Sequence, residues 1–286
     1  VYISDKNIYS SQLSKLINKN YPYEIINAGY SSGHNTDQQY SWFSNYLLNN
    51  GCPETTILGF FLGNDFNINK KAWLDKDKLG FPTKFIDKNI YVDKDGFLRS
   101  KKKSIHTVAS ESVYKIPLLR ESHLLIAFTK VIRHIELKIK NISPSGWNFN
   151  NFKFIYGEYD DEFLRNEKLV LDLIYGLNLK MEKCNGNFIV LLLPINFMVN
   201  KDMFDIKFPN LKYSRNKTPV YYDRFNNQLE SLKIRTINIY DSMQKDYEKN
   251  KIELFPKNGE VHFNSKGHYV TAKKIYEYMI KNSLIN

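Results

Sequence analysis

The sequence predicts an α/β protein, a three-layer α/β/α arrangement around a mostly parallel, doubly wound sheet. Two almost wholly apolar runs, residues 55–62 and 187–194, have strand length without alternation, as strands covered on both faces do. Segments with apolar residues at helical spacing separate the strand-like runs. The connections between runs are long enough for crossovers, so successive strands should run parallel.

In chain order, residues 10–20 place Leu13, Leu16 and Ile17 on one helical face. Residues 24–28 read as a short strand ending at Gly29, followed by a polar loop over 30–35. Thr36 and Gln39 have capping-box spacing, and Tyr40, Phe43 and Leu47 continue the buried face of the helix they open. The strand over 55–62 comes next. The stretch from about 66 to 151 breaks this rhythm and reads as an insertion over one end of the sheet. It holds a hairpin around Asp93-Lys94-Asp95-Gly96 and a helical piece over 122–137. The Asp93 turn is not a calcium loop, because its glycine comes too early and no glutamate closes it. Val170, Leu173, Ile174, Leu177 and Met181 then mark a long helix, 187–194 a strand, 221–232 a helix and 236–241 a further strand. Ala272, Ile275, Tyr276 and Met279 mark a closing helix. With no internal repeat and no linker, residues 1–286 read as one domain carrying the insertion.

Composition bounds the function. With 20 Tyr and 19 Phe the chain can bury a sizeable core. No apolar run approaches the roughly 20 residues that span a bilayer. The net charge of +11 comes from lysine spread along the chain. Its one dense run, Arg99 to Lys103, lacks interleaved aromatics, so no nucleic-acid partner is expected. Cys52 and Cys184 lie in half-apolar surroundings and are expected as free buried thiols, a single bridge being the alternative. The chain begins at Val1 without an export signal, so a processed or truncated start is expected and the compartment is unknown.

In an open parallel sheet, ligands bind beyond the carboxyl ends of the strands. Three segments fall there or just before the last helix: Asn27 to Gln38, Gly63-Asn64-Asp65, and Gly259 to His268. Singly, each has an ordinary explanation as a turn, a helix cap or a solvated loop.

Together and in this order they resemble three sequence blocks of the SGNH (GDSL-like) hydrolases. Asn27-x-Gly29 with Gly33 and Thr36 resembles the block bearing the oxyanion-hole glycine, here Gly33. Phe60-Phe61-Leu62-Gly63-Asn64-Asp65 resembles the block bearing the oxyanion asparagine, here Asn64. It departs from the Gly-x-Asn-Asp of many members, with Leu62 at the first position and Gly63 directly before Asn64. His262-x-Asn264-x-x-Gly267 resembles the closing block with the catalytic histidine, here His262. The resemblance implies a flavodoxin-like sheet whose first strand, with the family's Gly-Asp-Ser nucleophile, is missing from this chain and is expected upstream of Val1.

The chemistry this implies is acyl transfer through a serine activated by His262 as base. The oxyanion would be held by the serine N–H, the Gly33 N–H and the Asn64 amide, each donor worth about 2.7–4 kcal/mol of barrier. Family members commonly carry an Asp three residues before the histidine. Gly259 stands there, so Glu260 is the expected orienting acid and Asp65 its rival. His268 is expected to pack or cap; His34, His106, His123 and His134 have no paired carboxylate at a telling spacing. No metal and no organic cofactor is called for, and no phosphate-binding loop is present. The reading is a serine-type carboxylic-ester hydrolase for a small acyl group, acetyl on a carbohydrate being the leading substrate; this chain alone is expected to be inactive. The alternatives are a polysaccharide O-acyltransferase and a non-catalytic carbohydrate-binding or assembly protein on the same fold.

Overall fold

The computed structural model describes residues 3–29, 35–66, 90–92, 98–100, 149–200, 203, 219–256 and 261–285. A 3-10 turn at Asp5–Asn7 leads into α1 (Tyr9–Ile17), then α2 (Thr36–Asn50) and β1 (Thr55–Phe61). β2 (Ile90–Val92) and β3 (Leu98–Ser100) form an antiparallel pair, so the expected hairpin has its two arms. Its turn and the expected helix over 122–137 lie outside the described residues. A 3-10 segment (Phe149–Tyr156) precedes α3 (Asp161–Glu182), β4 (Asn187–Leu193), α4 (Asn196–Val199), α5 (Tyr221–Ser231), β5 (Arg235–Asn238), α6 (Tyr240–Asn250) and α7 (Ser265–Lys281).

The main sheet is parallel, in the order β1-β4-β5. Thr55 pairs with Asn187 through to Phe61 with Leu193, and Ile189 pairs with Arg235 through to Leu192 with Asn238. Phe188 to Leu192 are buried, as the unbroken apolar run of β4 requires. The two sides of β1 meet different helices. Phe60 packs on Phe225 of α5, and Thr56 approaches Met181 of α3. Gly59 turns the other way, where the hydroxyl of Tyr9 in α1 stands 2.9 Å from the position a Cβ would take.

The register also shows which edge of β1 is open. Asn187 N–H donates to Glu54 O at 2.8 Å, and Leu62 N–H donates to Leu193 O at 3.2 Å. In a parallel ladder both backbone groups of a residue point to the same side. Even-numbered residues of β1 therefore face β4, while Thr55, Ile57, Gly59 and Phe61 address the opposite edge. Among the described residues no strand pairs there.

Several expectations need correction. Residues 24–28 form no ladder strand; only Asn27 makes an isolated bridge. The run lies across from β1, its start tied by Tyr23 Oη to Glu54 Oε1 at 3.4 Å, but a cavity of about 560 Å³ separates the two. A single bridge does not make a ladder. The capping residue of α2 is Asn35, not Thr36: Asn35 N–H donates to Gln38 Oε1 at 3.3 Å, one residue earlier than the expected spacing. The strand expected over 236–241 stops at Asn238, whose Oδ1 accepts the N–H of Tyr240 at 3.0 Å and turns the chain into α6.

The cysteines are not free buried thiols. Cys52 and Cys184 are exposed and joined in a disulfide, with Cα atoms 6.2 Å apart. Cys52 precedes β1 by three residues and Cys184 precedes β4 by three. The parallel register therefore brings them side by side, although 132 residues separate them in sequence.

Candidate active site

The carboxyl end of β1 is a tight turn, and its sequence explains the tightness. Asp65 N–H donates to Phe61 O at 3.2 Å and Asn64 N–H to the same oxygen at 3.4 Å. Asp65 Oδ2 accepts the N–H of Phe61 at 2.7 Å, so the turn is closed from both sides. Thr36 Oγ1 donates to Asp65 O at 2.8 Å, which fastens the first residue of α2 to the same turn. Gly63 is the residue the turn requires. A Cβ there would run into the ring of Phe61, which is folded back beneath it. The unusual glycine before Asn64 thus follows from Phe61 two residues earlier.

The His262 loop is built from the other end of the chain. Asn264 caps α7: its Oδ1 accepts from Lys266 N–H at 2.9 Å and Gly267 N–H at 3.0 Å. Its Nδ2 donates to Glu253 O at 2.8 Å, and its own N–H donates to Leu254 O at 2.9 Å. Gly267 lies against Leu254 O and Phe263 with no room for a Cβ. The His-x-Asn-x-x-Gly spacing is therefore a cap plus a close backbone approach. Val261 and Phe263 are buried on either side and leave His262 exposed between them. The imidazole of His262 stacks on Phe61, ring centroids 5.6 Å apart.

The structure thus brings His262 and the turn bearing Asn64 to the same end of β1. Gly33 and Glu260 lie outside the described residues. Asp65 does not orient the histidine: its carboxyl is engaged by Phe61 N–H and by the Gln39 side chain.

Three neighbours, Tyr9, His268 and Asp65, gather behind His262 and the Asn64 turn. Tyr9 opens α1, and its N–H, an orphan donor of the helix start, is taken by His268 Nδ1 at 3.2 Å. The rings of Tyr9 and His268 stack at 5.9 Å. His268 therefore packs and caps, as expected. Burial, and then the neighbouring His262, lower its pKa to about 4, so it is neutral with its proton on Nε2. Asp65 is buried, which pushes its carboxyl up to about 7 against the lowering effect of the Phe61 N–H and Gln39 bonds. Burial, and then Asp65, raise the Tyr9 phenol. Only spatial neighbours could have shown this cluster, since its members come from residues 9, 39, 65 and 268.

No family model, no characterised protein and no solved structure matches this chain. The site must be read from its own geometry. It offers an exposed imidazole for proton transfer, a side-chain amide in a hydrogen-bonded turn at the same end of β1, and behind them a neutral His268 and a buried carboxyl with a raised pKa. Among the described residues no three His, Cys, Asp or Glu side chains gather as ligands of one metal ion, and no helix is long and apolar enough to cross a membrane.

Proposed function

We propose that this chain is the greater part of a serine-type carboxylic-ester hydrolase of the SGNH kind, a three-layer α/β/α sandwich of flavodoxin-like order with one strand to be added beside β1. The observation that supports this most is the cavity on the open edge of β1. It runs between Ile25–Gly29 and Thr55–Gly59, under Leu13 of α1 and Trp42 of α2. We read this cavity of about 560 Å³, with the open edge of β1 as one wall, as a seat for one strand. The chain enters α1 at Tyr9, whose hydroxyl stands over Gly59 near the upper end of the seat. A strand of this protein preceding Val1 and lying parallel to β1 would therefore lead straight into α1, as a strand-to-helix crossover does.

A serine at the carboxyl end of that strand would emerge level with Phe61, beside His262 and Asn64. His262 would take the serine proton as Oγ attacks the ester carbonyl. The Asn64 amide and the Gly33 N–H would hold the oxyanion, and Glu260 would orient the imidazole. Collapse expels the alcohol with the proton from His262, and water repeats the sequence on the acyl-serine. The proposed substrate is a small acyl ester, acetyl on a carbohydrate.

The test is release of acetate from 4-nitrophenyl acetate and from an acetylated oligosaccharide by the chain with its preceding segment. N64A should lose about 10²–10³-fold in kcat and H262A about 10³-fold or more. Wild-type turnover by H262A would reject the reading. Acyl groups recovered on a sugar acceptor rather than as acetate would make the protein a transferase. Sugar binding without turnover would make it a non-catalytic binder.

A further inference from the structure

We propose that Asp65 is a positioning residue that closes the open edge of β1 at Phe61 and so sets both the Asn64 turn and the level at which a strand seated beside β1 must end. The inference rests on the hydrolase reading for its catalytic consequence and on backbone geometry for the rest.

Phe61 is odd-numbered, so its N–H points to the open edge, away from β4. A neighbouring strand would place a carbonyl at that N–H. Asp65 Oδ2 already occupies the position, at 2.7 Å. The ladder available to an added strand is therefore limited to Thr55, Ile57 and Gly59. Beyond Gly59 the strand has no donor left to bond and must turn away. That departure lies level with Phe61, where the His262 ring stacks and where the Asn64 turn begins.

The carboxyl is held for this task. Gln39 of α2 bonds it. Thr36 of α2 fixes its backbone oxygen at 2.8 Å. The phenol of Tyr9 in α1 is close enough for Asp65 to raise its pKa, after burial. No cation pairs with it among the described residues, so it serves as a hydrogen-bond acceptor and not as half of an ion pair. A side chain that ends a ladder and clasps its own turn needs one oxygen at one distance. Asparagine can supply that and alanine cannot.

The test combines two readouts on the full chain. Amide hydrogen exchange at Phe61 N–H should be about tenfold faster or more in D65A and within about threefold of wild type in D65N. In ester turnover, D65A should lower kcat about tenfold with KM little changed, and D65N should restore most of it. Since Asp65 acts through Asn64, the N64A/D65A double variant should be scarcely slower than N64A. Should D65A fail to fold, D65S, polar but too short to reach Phe61 N–H, replaces it. Unchanged Phe61 exchange in the variant overturns the inference whatever the ester assay gives, and additive losses in the double variant overturn the positioning role. A wild type without turnover overturns the hydrolase reading, and the exchange rate still decides the clasp.

Discussion

The imidazole of His262 rests on the ring of Phe61 at 26° from parallel, so the last residue of β1 holds a side chain 201 positions further along the chain. The same ring fills the space beside Gly63. Phe61 thus links the turn bearing Asn64 to the loop bearing His262.

Replacing Gly63 by Ala should displace the Phe61 ring. The expected cost is about 1–3 kcal/mol in urea denaturation, the range for overpacking. The His262 ring resonances should also lose the upfield shift that stacking on Phe61 gives them. A Gly63→Ala protein with wild-type stability and unchanged His262 shifts would show that the glycine is incidental.

Asn264 joins α7 to residues 253–255 through both ends of its amide. Asn264→Ala should cost about 1–2 kcal/mol of stability, more than Asn264→Ser, which keeps an acceptor for the helix start. Equal losses in the two variants would locate the contribution outside the cap.

Asp65 and His268 oppose each other in acid. The Asp65 carboxyl is raised to about 7, so the folded state holds its proton where the unfolded state has lost it, and this contribution to stability disappears as pH rises from about 4 to 7. His268 is lowered to about 4, so the unfolded state binds the extra proton and stability is lost as pH falls from about 6.5 to 4. The wild type should therefore be nearly flat with respect to these two groups over that interval. D65N should become less stable towards pH 4, and His268→Asn less stable towards pH 7, each measured as urea midpoints across the range. Parallel profiles for wild type and both variants would contradict the assignment.

The Cys52–Cys184 bridge closes a long loop at the amino ends of β1 and β4. Reduction, or the Cys52→Ser/Cys184→Ser pair, should lower stability by about 2–4 kcal/mol. Two thiols titrating in the unreduced, unfolded protein would show that the bridge does not form.

The sequence by itself determined the parallel α/β class and the strands at Thr55–Phe61 and Asn187–Leu193, because a strand covered on both faces must be apolar throughout. It also determined the closing helix marked by Ala272, Ile275, Tyr276 and Met279, because its apolar residues recur at helical spacing. Tertiary structure decided what depends on neighbours distant in the chain. Residues 24–28 have strand-like sequence, yet among the described residues they make one isolated bridge, at Asn27, and no ladder. The cysteines look apolar in sequence, yet the β1–β4 register sets them side by side at the surface. Asp65 could have faced His262 or Phe61, and only the direction in which Phe61 presents its N–H, fixed by pairing with β4, gives it to the backbone. Periodicity reports which face of an element is buried; which edge of a strand is open is a property of the assembled sheet.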